Sequence, residues 1–256
     1  RIDDEVAELV CNGVREIVLI GQDTGIWGHD LEEPSTTATL VRTLAHRYPD
    51  TWFRLLYVQP EGIDDELLDV IATYPNVCPY LDMPLQHVDA EVLARMNRSG
   101  NAKDILALLD HVRDRVPDIM IRTTLMAGFP GETEDEFTQT LAFLERCAFA
   151  SVHVFPYSVR EGTKAAAMPG QLDQQTKTAR AERAKQVAKT LSAAYRKQFV
   201  GRTLYALPEH PTGGLWAAHG RYGFPVYIED KAEKNHPVTV KVIGLHKDGV
   251  LAKFEN

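Results

Sequence analysis

The chain has 256 residues, a hydrophobic content of 44% and a formal net charge of −8, which is ordinary for a packed globular protein. No apolar run in the sequence approaches the roughly 20 residues of a membrane-spanning helix, so we expect no membrane association. Residues 1–172 contain 14 Lys and Arg against 28 Asp and Glu, residues 173–200 contain 7 against 2, and residues 201–256 contain 7 against 6. The acidic net charge of residues 1–172 disfavours non-specific binding to a nucleic-acid duplex and suits a basic protein partner.

The three cysteines, Cys11, Cys78 and Cys147, are widely spaced. They form neither a disulfide framework nor a metal-ligand pattern, so we interpret them as structural thiols and expect a cytoplasmic protein. The first residue is Arg1 rather than an initiator methionine, and we interpret the sequence as a piece of a longer chain.

Helices and strands alternate along the first two thirds of the sequence. Hydrophobic periodicity predicts helices at 2–12, 37–47, 64–73, 90–96, 102–116 and 134–147. It predicts short apolar strands at 16–20, 52–58, 80–83, 119–127 and 151–155. This alternation is typical of a parallel sheet with right-handed crossovers, in which the ligand site lies at the C-terminal ends of the strands.

Polar, Gly or Pro residues follow every predicted strand. Those expected around one common mouth are Gln22, Asp23, Glu61, Gln86, His87, Arg122, Gly128 and Tyr157. The strand at 119–127 is the most informative, because Arg122 has no ordinary role inside a strand that is buried on both faces. A glycine-rich turn follows this strand, and Thr133 with Glu136 predicts a capping box for the next helix.

The last third of the sequence predicts a different arrangement of elements. After an Ala/Pro/Gly-rich linker, residues 172–199 predict a long helix whose positive charge marks either a solvated face or a binding stripe. Five short strands are then predicted at 202–207, 215–220, 224–229, 237–245 and 249–254, which favours a small β-barrel of the oligonucleotide-binding type. We therefore divide the chain into a first domain at 1–172, a linking helix at 173–200 and a β-barrel at 201–256.

Several strand ends resemble one known family when they are taken together. The stretches are Gly21-Gln-Asp-Thr24, Leu55-Leu-Tyr-Val-Gln-Pro-Glu-Gly-Ile63, Tyr80-Leu-Asp-Met-Pro-Leu-Gln-His87, Ile121-Arg-Thr-Thr-Leu-Met-Ala-Gly-Phe-Pro-Gly-Glu-Thr133 and Phe155-Pro-Tyr-Ser-Val-Arg-Glu-Gly-Thr163. In order and spacing they resemble the methylthiotransferase branch of the radical S-adenosylmethionine (SAM) enzymes over about residues 2–200. The last 55 residues are similar to the TRAM β-barrel of that family.

The resemblance implies a partial, truncated (βα)6 TIM-like radical SAM barrel followed by a small all-β TRAM/OB-like barrel. It implies SAM and two 4Fe-4S clusters in the full-length enzyme, with a 5′-deoxyadenosyl radical that removes hydrogen from an unactivated carbon, a step that side-chain acids and bases cannot perform. The Cys-x3-Cys-x2-Cys cluster motif of the family does not occur in this sequence. We therefore expect the cluster ligands to lie outside this chain, and the chain alone to be inactive.

Within the family, two sub-branches differ at the strand ends. Gln22-Asp-Thr24, Pro60-Glu-Gly-Ile63 and Pro84-Leu-Gln-His87 resemble the branch that adds a methylthio group to the β-carbon of an aspartate in a basic small-subunit ribosomal protein. The branch that modifies tRNA usually has Gln-Asn and Pro-Val-Gln-Ser-Gly at these places. We expect the ribosomal-protein function.

The resemblance and the strand-end position suggest cofactor-binding residues. Arg122 would hold the SAM carboxylate, although a salt bridge to a neighbouring carboxylate is the alternative. Gly128, Phe129 and Gly131 would contact adenine, or form only a structural turn. Gln22 and Gln86 would bind ribose or sulfur species, or cap loops. Tyr157 would line the cofactor pocket, or serve packing.

A second group of residues is assigned to the substrate. Asp23 would face it, and Ser158 would line its pocket beside Tyr157. His87 would contact substrate or cofactor, with a buried, hydrogen-bonded core histidine as the equal alternative.

Two competing functions stay open at this point. One is the tRNA-modifying branch, in which the C-terminal barrel would contact RNA. The other is a non-catalytic module that binds protein or RNA. We expect a monomer in each case.

Overall fold

The computed structural model describes residues 1–98 and 100–255. Its first part contains five parallel strands: β1 Glu16–Leu19, β2 Trp52–Leu55, β3 Tyr80–Asp82, β4 Met120–Ala127 and β5 Ser151–Pro156. The helices are α1 Ile2–Cys11, α2 Thr37–Arg47, α3 Asp65–Thr73, α4 Ala90–Arg95, α5 Ala102–Arg115, α6 Glu134–Cys147 and α7 Gln174–Lys197. Two short 3-10 turns lie at Pro60–Gly62 and Lys164–Ala167.

The five strands lie side by side in chain order. β1 pairs with β2, and β3, β4 and β5 form a second parallel sheet in that order. A parallel bridge between Phe53 and Val77 joins the two sheets, and Val58 N donates to Asp82 O at 2.9 Å. Sequential parallel strands joined by helices form an incomplete barrel wall, which confirms the α/β fold class.

The two faces of this wall have different environments. Phe53, Leu81, Ile121 and Leu125 belong to the first hydrophobic core, together with residues of the surrounding helices. The alternating side chains, which include Arg54, Tyr80, Asp82 and Arg122, therefore point to the inner face. The inner face is the side on which a barrel of this type carries its site.

Local sequence signals set several element boundaries. Thr133 caps α6, and its hydroxyl and the Glu136 carboxylate form the predicted capping box. β2 ends at Leu55, three residues earlier than expected, because Tyr57 has a φ of 57° and cannot continue a strand.

The C-terminal part is a closed barrel of five strands: β6 Thr203–Thr212, β7 Leu215–Gly220, β8 Pro225–Ile228, β9 Val238–His246 and β10 Gly249–Phe254, in the order β10-β8-β7-β6-β9. All five predicted strands are present, and the small all-β barrel is confirmed. β6 continues five residues beyond the predicted end at Leu207, because a register shift between Pro208 and His210 accommodates the proline.

A second hydrophobic core joins the small barrel to the parallel strands. Tyr80 and Met120 of the inner face pack in it with Tyr195 of α7, with Phe199 just after α7 and with Phe224 of the barrel. The small barrel thus covers the N-terminal half of the inner face, and the C-terminal strand ends lie beyond it. Within the described ranges, no helix combines the length and apolar character that crossing a bilayer requires.

Candidate functional site

Backbone hydrogen bonds connect the loops at the C-terminal strand ends. Thr24 N donates to Tyr57 O and Gln86 N donates to Thr124 O, each at 2.8 Å. Tyr157 N donates to Ala127 O at the same distance. These bonds run from one strand end to the next, so the loops after β1 to β5 lie side by side along one edge. The common mouth expected from element order is therefore present, and we call this edge with its loops the mouth.

Two features of the mouth depend on unusual backbone geometry. A Cβ on Gly62 would lie 2.6 Å from Gly25 Cα, so the loops after β1 and β2 approach as closely as they do only because both residues lack a side chain. Tyr57 and Gln86, at the ends of β2 and β3, both have positive φ, at 57° and 69°. Non-glycine residues in this region are strained, and such strain is concentrated at functional sites.

Arg122 lies on the inner face, with a side chain that is 36% exposed. Its Nε lies 3.7 Å from Asp82 Oδ1, which is at the far limit of an ion pair. Burial opposes its charge, but the neighbouring Tyr80 and Asp82 raise the pKa of the guanidinium. The salt bridge that was the alternative reading therefore exists, although it is too long for a hydrogen bond.

Asp82 is a site residue that the sequence analysis missed. It is 1% exposed, and its register partner on β4 is Arg122. Its Oδ1 has no hydrogen-bond partner in residues 1–98 and 100–255, and burial raises the pKa of its carboxyl group. The signal was available, because a carboxylate in an otherwise apolar strand is as unusual as the arginine of the next strand.

Three buried oxygen atoms at the mouth have no hydrogen-bond partner among the described residues: Asp82 Oδ1, Gln86 Oε1 and Tyr157 OH. Unpaired buried polar atoms are costly, and groups of them mark sites whose partner is a ligand. A cavity of about 540 Å³ and a second of about 480 Å³ lie at this edge. We call the second one the inner cavity, and its lining includes Gln86, Met126, Phe129, Phe155, Lys164 and Met168.

Phe129 and Tyr157 pack against each other next to the inner cavity. Their rings meet edge to face at a centroid distance of 5.4 Å, and both side chains are almost fully buried. Lys177 of α7 places its ammonium 5.5 Å from the Tyr157 ring. This aromatic pair with a nearby cation is a rigid wall for a flat, polar ligand.

Gly128 and Gly131 form the turn after β4, which favours the alternative that both have only a structural role in this turn. Both have φ near 80°. The Gly128 amide donates to the Glu132 carboxylate, and the Gly131 amide donates to Gly170 O at 2.9 Å. A Cβ on Gly128 would lie 2.4 Å from Lys177 Cγ. The amides predicted to face adenine are therefore used inside the protein, where α7 packs on the turn.

His87 lies in the interior, which favours the alternative reading, and its assignment to substrate or cofactor stays a prediction. It is 0% exposed. Its Nε2 lies 3.3 Å from Glu132 Oε1, and its Nδ1 accepts from Asp89 N at 3.1 Å. It is the hydrogen-bonded core histidine that was the alternative reading, because both ring nitrogens are already used in the protein.

Glu132 is the centre of this interior network. It is 2% exposed, and Arg180 Nη1 donates to its Oε2 at 3.1 Å and to its backbone oxygen at 2.8 Å. The glycine turn, His87 and α7 are thus held by one carboxylate. The sequence analysis missed this role, because Arg180 lies 48 residues away along the chain.

The remaining predicted residues lie at the rim of the mouth. Gln22 and Ser158 are exposed. Asp23 is half-buried, and its Oδ1 accepts from Gly25 N at 3.1 Å, which stabilises the loop. Their roles toward cofactor or substrate stay predictions.

Across residues 1–98 and 100–255, no group of three or more His, Cys, Asp or Glu side chains is arranged to hold a metal ion. Cys78 and Cys147 are buried, and burial raises the pKa of each thiol to about 12. Such thiols are poor metal ligands at neutral pH, because the thiolate is the ligand form.

Comparison with known proteins gives consistent results. The sequence model of the radical SAM superfamily matches residues 1–144. The chain is 41% identical over 208 residues to the ribosomal protein uS12 methylthiotransferase RimO of Syntrophus aciditrophicus, a match that covers 81% of this chain and 46% of that protein. It is 45% identical over 224 residues to the RimO protein of Symbiobacterium thermophilum, covering 87% of this chain and 46% of that protein. The chain spans about half the length of the curated relatives it matches.

Among solved structures, coproporphyrinogen III oxidase from Escherichia coli, described as a radical SAM enzyme, aligns with a TM-score of 0.49 and 21% identity, over 64% of this chain and 38% of that chain. The superfamily match covers more than half of the sequence and includes β1 to β4 with the loops that form most of the mouth. The chain belongs to the radical SAM superfamily.

Proposed function

We propose that this chain is the C-terminal part of a radical SAM methylthiotransferase that adds a methylthio group to the β-carbon of an aspartate in ribosomal protein uS12. The observation that carries the proposal is the mouth, where ordered strand-end loops carry three buried oxygen atoms that lack partners within the described part of the chain. Relatives named ribosomal protein uS12 methylthiotransferase match the chain over 81% and 87% of its length.

The residues at the mouth fit SAM. The cofactor offers an ammonium group, ribose hydroxyls and an adenine amino group, all of which are hydrogen-bond donors. Among the described residues, Asp82 Oδ1, Gln86 Oε1 and Tyr157 OH are acceptors without partners, and Arg122 beside Asp82 is a cation for the cofactor carboxylate. Phe129 would contact adenine with its ring. When bound, SAM would supply the radical that opens an unactivated C–H bond.

The iron-sulfur clusters do not fit the side chains described in residues 1–98 and 100–255, as no suitable ligand group is formed there. In this proposal both 4Fe-4S clusters are bound by other parts of the full-length enzyme. The part played by this chain is to seat SAM and substrate at the mouth and to exclude water from below, where the small barrel covers the inner face.

The charge distribution supports a basic substrate protein. Acidic residues outnumber basic ones by 28 to 14 in residues 1–172, which carry the mouth. A surface of this sign attracts a basic ribosomal protein and accelerates its approach. The proposed enzyme works as a monomer in the cytoplasm, where ribosomes assemble.

Contact with RNA through the small barrel is a further part of the proposal. Lys241 and Lys253 are paired in register on the outer face of β9 and β10. Tyr205 of the neighbouring β6 is 59% exposed. Lysines and an exposed aromatic ring on a barrel face suit ribosomal RNA next to the target protein. The barrel is otherwise nearly neutral, which disfavours the tRNA-modifying alternative.

Mass spectrometry of a deletion strain tests the function. In the parent strain we expect uS12 with one methylthio group on an aspartate. In a strain without the gene that encodes this chain, we expect uS12 to lack that group while tRNA nucleosides stay unchanged. The wild-type gene should restore the modification, and a gene carrying Arg122→Gln should not. Loss of methylthio groups from tRNA alone would favour the tRNA-modifying branch and refute this function.

A further inference from the structure

Two cavities at the mouth share one wall. The cavity of about 540 Å³, which we call the outer cavity, adjoins the inner cavity. Asn97 and Arg98 line both. A group held at this wall is therefore within reach of a ligand in either cavity.

Arg98 is a partly buried cation that is fixed in place by neutral atoms. Its Nη1 donates to Gln59 Oε1 at 3.1 Å and to Pro84 O at 3.3 Å. Burial lowers the pKa of its guanidinium, and the charge of Glu61 only partly offsets this. The two acceptors fix the orientation of the side chain and neutralise none of its charge. A guanidinium held this way suits an anionic ligand with the planar geometry of a carboxylate.

The outer cavity has the lining expected for a polypeptide segment. Leu85, Leu93, Ile105 and Leu108 form apolar surface, and Glu61 and Asp104 carry carboxylates beside it. Such a cavity accepts an apolar side chain and places basic neighbours close to acidic groups. This matches a segment of a basic protein that carries one acidic residue to the mouth.

We propose that Arg98 determines specificity for the target residue, by binding the side-chain carboxylate of the aspartate while the flanking residues of the substrate occupy the outer cavity. This inference rests on the function proposed above. It assigns the carboxylate of the substrate to Arg98 and the carboxylate of the cofactor to Arg122, so that the two arginines of the mouth hold two different anions. The β-carbon of the target would then lie at the wall between the cavities, next to the cofactor.

The test compares substrate peptides that carry Asp or Asn at the target position, with the cluster-loaded full-length enzyme. Binding of labelled peptides is measured by fluorescence anisotropy, and modification by mass spectrometry. For the wild-type enzyme we expect the Asp peptide to bind roughly 10- to 100-fold more tightly than the Asn peptide, the range for a hydrogen bond to a charged group. In Arg98→Gln we expect this preference to disappear through weaker binding of the Asp peptide, with binding of the Asn peptide unchanged. Arg98→Lys should retain part of the preference, because it keeps the charge and loses the planar fork.

Arg115→Gln is the matched control. It removes an exposed arginine from α5, the helix that lines the outer cavity, at a place where Arg115 pairs with Asp69. This variant should keep the wild-type preference. Formation of 5′-deoxyadenosine without peptide is measured in every variant, and it should not change in the control Arg115→Gln.

Three outcomes would overturn the assignment. They are equal weakening of both peptides in Arg98→Gln, an unchanged preference in that variant, and slower formation of 5′-deoxyadenosine without peptide, which would place Arg98 at the cofactor. Failure of the underlying function is distinguishable, since the wild-type enzyme would then modify neither peptide while it still cleaves SAM.

Discussion

Arg54 and Arg122 lie on the same inner face of the parallel strands, yet their surroundings are opposite. Arg54 Nε donates to Glu16 Oε1 at 2.6 Å, and its two Nη atoms donate to the backbone oxygens of Arg221 at 3.0 Å and Gly220 at 3.1 Å. Arg122 faces Asp82 across 3.7 Å, and Asp82 Oδ1 has no hydrogen-bond partner. The protein supplies hydrogen-bond partners for the pair of Arg54 and Glu16, whereas the pair of Arg122 and Asp82 leaves hydrogen-bonding capacity unused.

The position of each arginine along its strand explains the difference. Arg54 lies in the half of the inner face that the small barrel covers, and the barrel supplies the two carbonyl groups. Arg122 lies level with Asp82, nearer the C-terminal strand ends, and its charged or polar neighbours there include Tyr80 and Asp82. A saturated ion pair holds two parts of a protein together, whereas an incomplete one has hydrogen-bonding capacity left for a ligand. The comparison supports a structural role for Arg54 and the proposed binding role of Arg122.

Arg54→Ala should produce the largest effect on stability. It leaves Glu16, whose side chain is 9% exposed, without its main cation, and we expect a loss of about 3–5 kcal/mol in the free energy of unfolding. Urea denaturation measures it. Arg42→Ala is the control, because Arg42 and Glu66 form an ion pair with both side chains 41% exposed. Its loss in the free energy of unfolding should be a small fraction of the loss in Arg54→Ala. A loss in Arg54→Ala no greater than that of the control would refute the structural role.

Arg122→Gln should separate binding from stability. We expect the affinity for SAM to fall roughly 10- to 100-fold, because a charge-assisted bond to the cofactor carboxylate is lost. The free energy of unfolding should change by less than about 1 kcal/mol, as the pair with Asp82 is long and partly exposed. Calorimetric titration of the full-length enzyme and urea denaturation of the chain measure the two quantities. A stability loss like that of Arg54→Ala with unchanged affinity would reverse the assignment.

His219 makes the saturated pair sensitive to pH. Its Nε2 lies 2.5 Å from Glu16 Oε2 and its Nδ1 lies 3.0 Å from Glu209 Oε1. Burial opposes protonation, but the hydrogen bond to Glu16 overcomes it and raises the pKa of His219. Burial likewise opposes the charge of Glu16, and His219 and Arg54 outweigh it, so that the pKa of Glu16 is lowered.

The signs of these two shifts define a pH window. The contribution of His219 is complete below its unfolded pKa of about 6.5 and is lost as pH rises through the higher folded value. The contribution of Glu16 is lost as pH falls through its lowered folded pKa. We therefore expect the free energy of unfolding of wild type to exceed that of His219→Gln by about 1–2 kcal/mol in weakly acidic solution. This difference should shrink at both lower and higher pH. Urea denaturation across the pH range measures it, and a constant difference would contradict the expectation.

Asp82→Asn should have the smallest effect. Burial raises the pKa of Asp82, so its ionised form disfavours the folded state, and the carboxyl contributes stability below its unfolded pKa that is lost as pH rises through the folded value. The amide removes the charge with little change in shape. We expect the free energy of unfolding to rise by at most about 1 kcal/mol at neutral pH. Denaturation at neutral pH measures this change. A loss of several kcal/mol would mean that Asp82 is bonded as firmly as Glu16.

The sequence by itself determined the order of the elements, the location of the mouth and the turn chemistry. Strand and helix periodicities are local, and parallel strands with helical crossovers must place their C-terminal ends at one edge. The capping box at Thr133 and the five strands of the small barrel follow from short-range patterns in the same way. The family followed from motifs in order along the chain.

Only the tertiary structure decided how the polar groups pair. His87 and Gly128 looked like ligand contacts, and they are bonded to Glu132, which α7 secures through Arg180. The sequence did not predict the pairing of Arg54 and Glu16, because their partners in the small barrel lie more than 160 residues away along the chain. Pairing between distant elements leaves no periodic trace in a sequence, since it depends on how whole layers pack. The same packing leaves Asp82, Gln86 and Tyr157 with unused acceptors where the layers end.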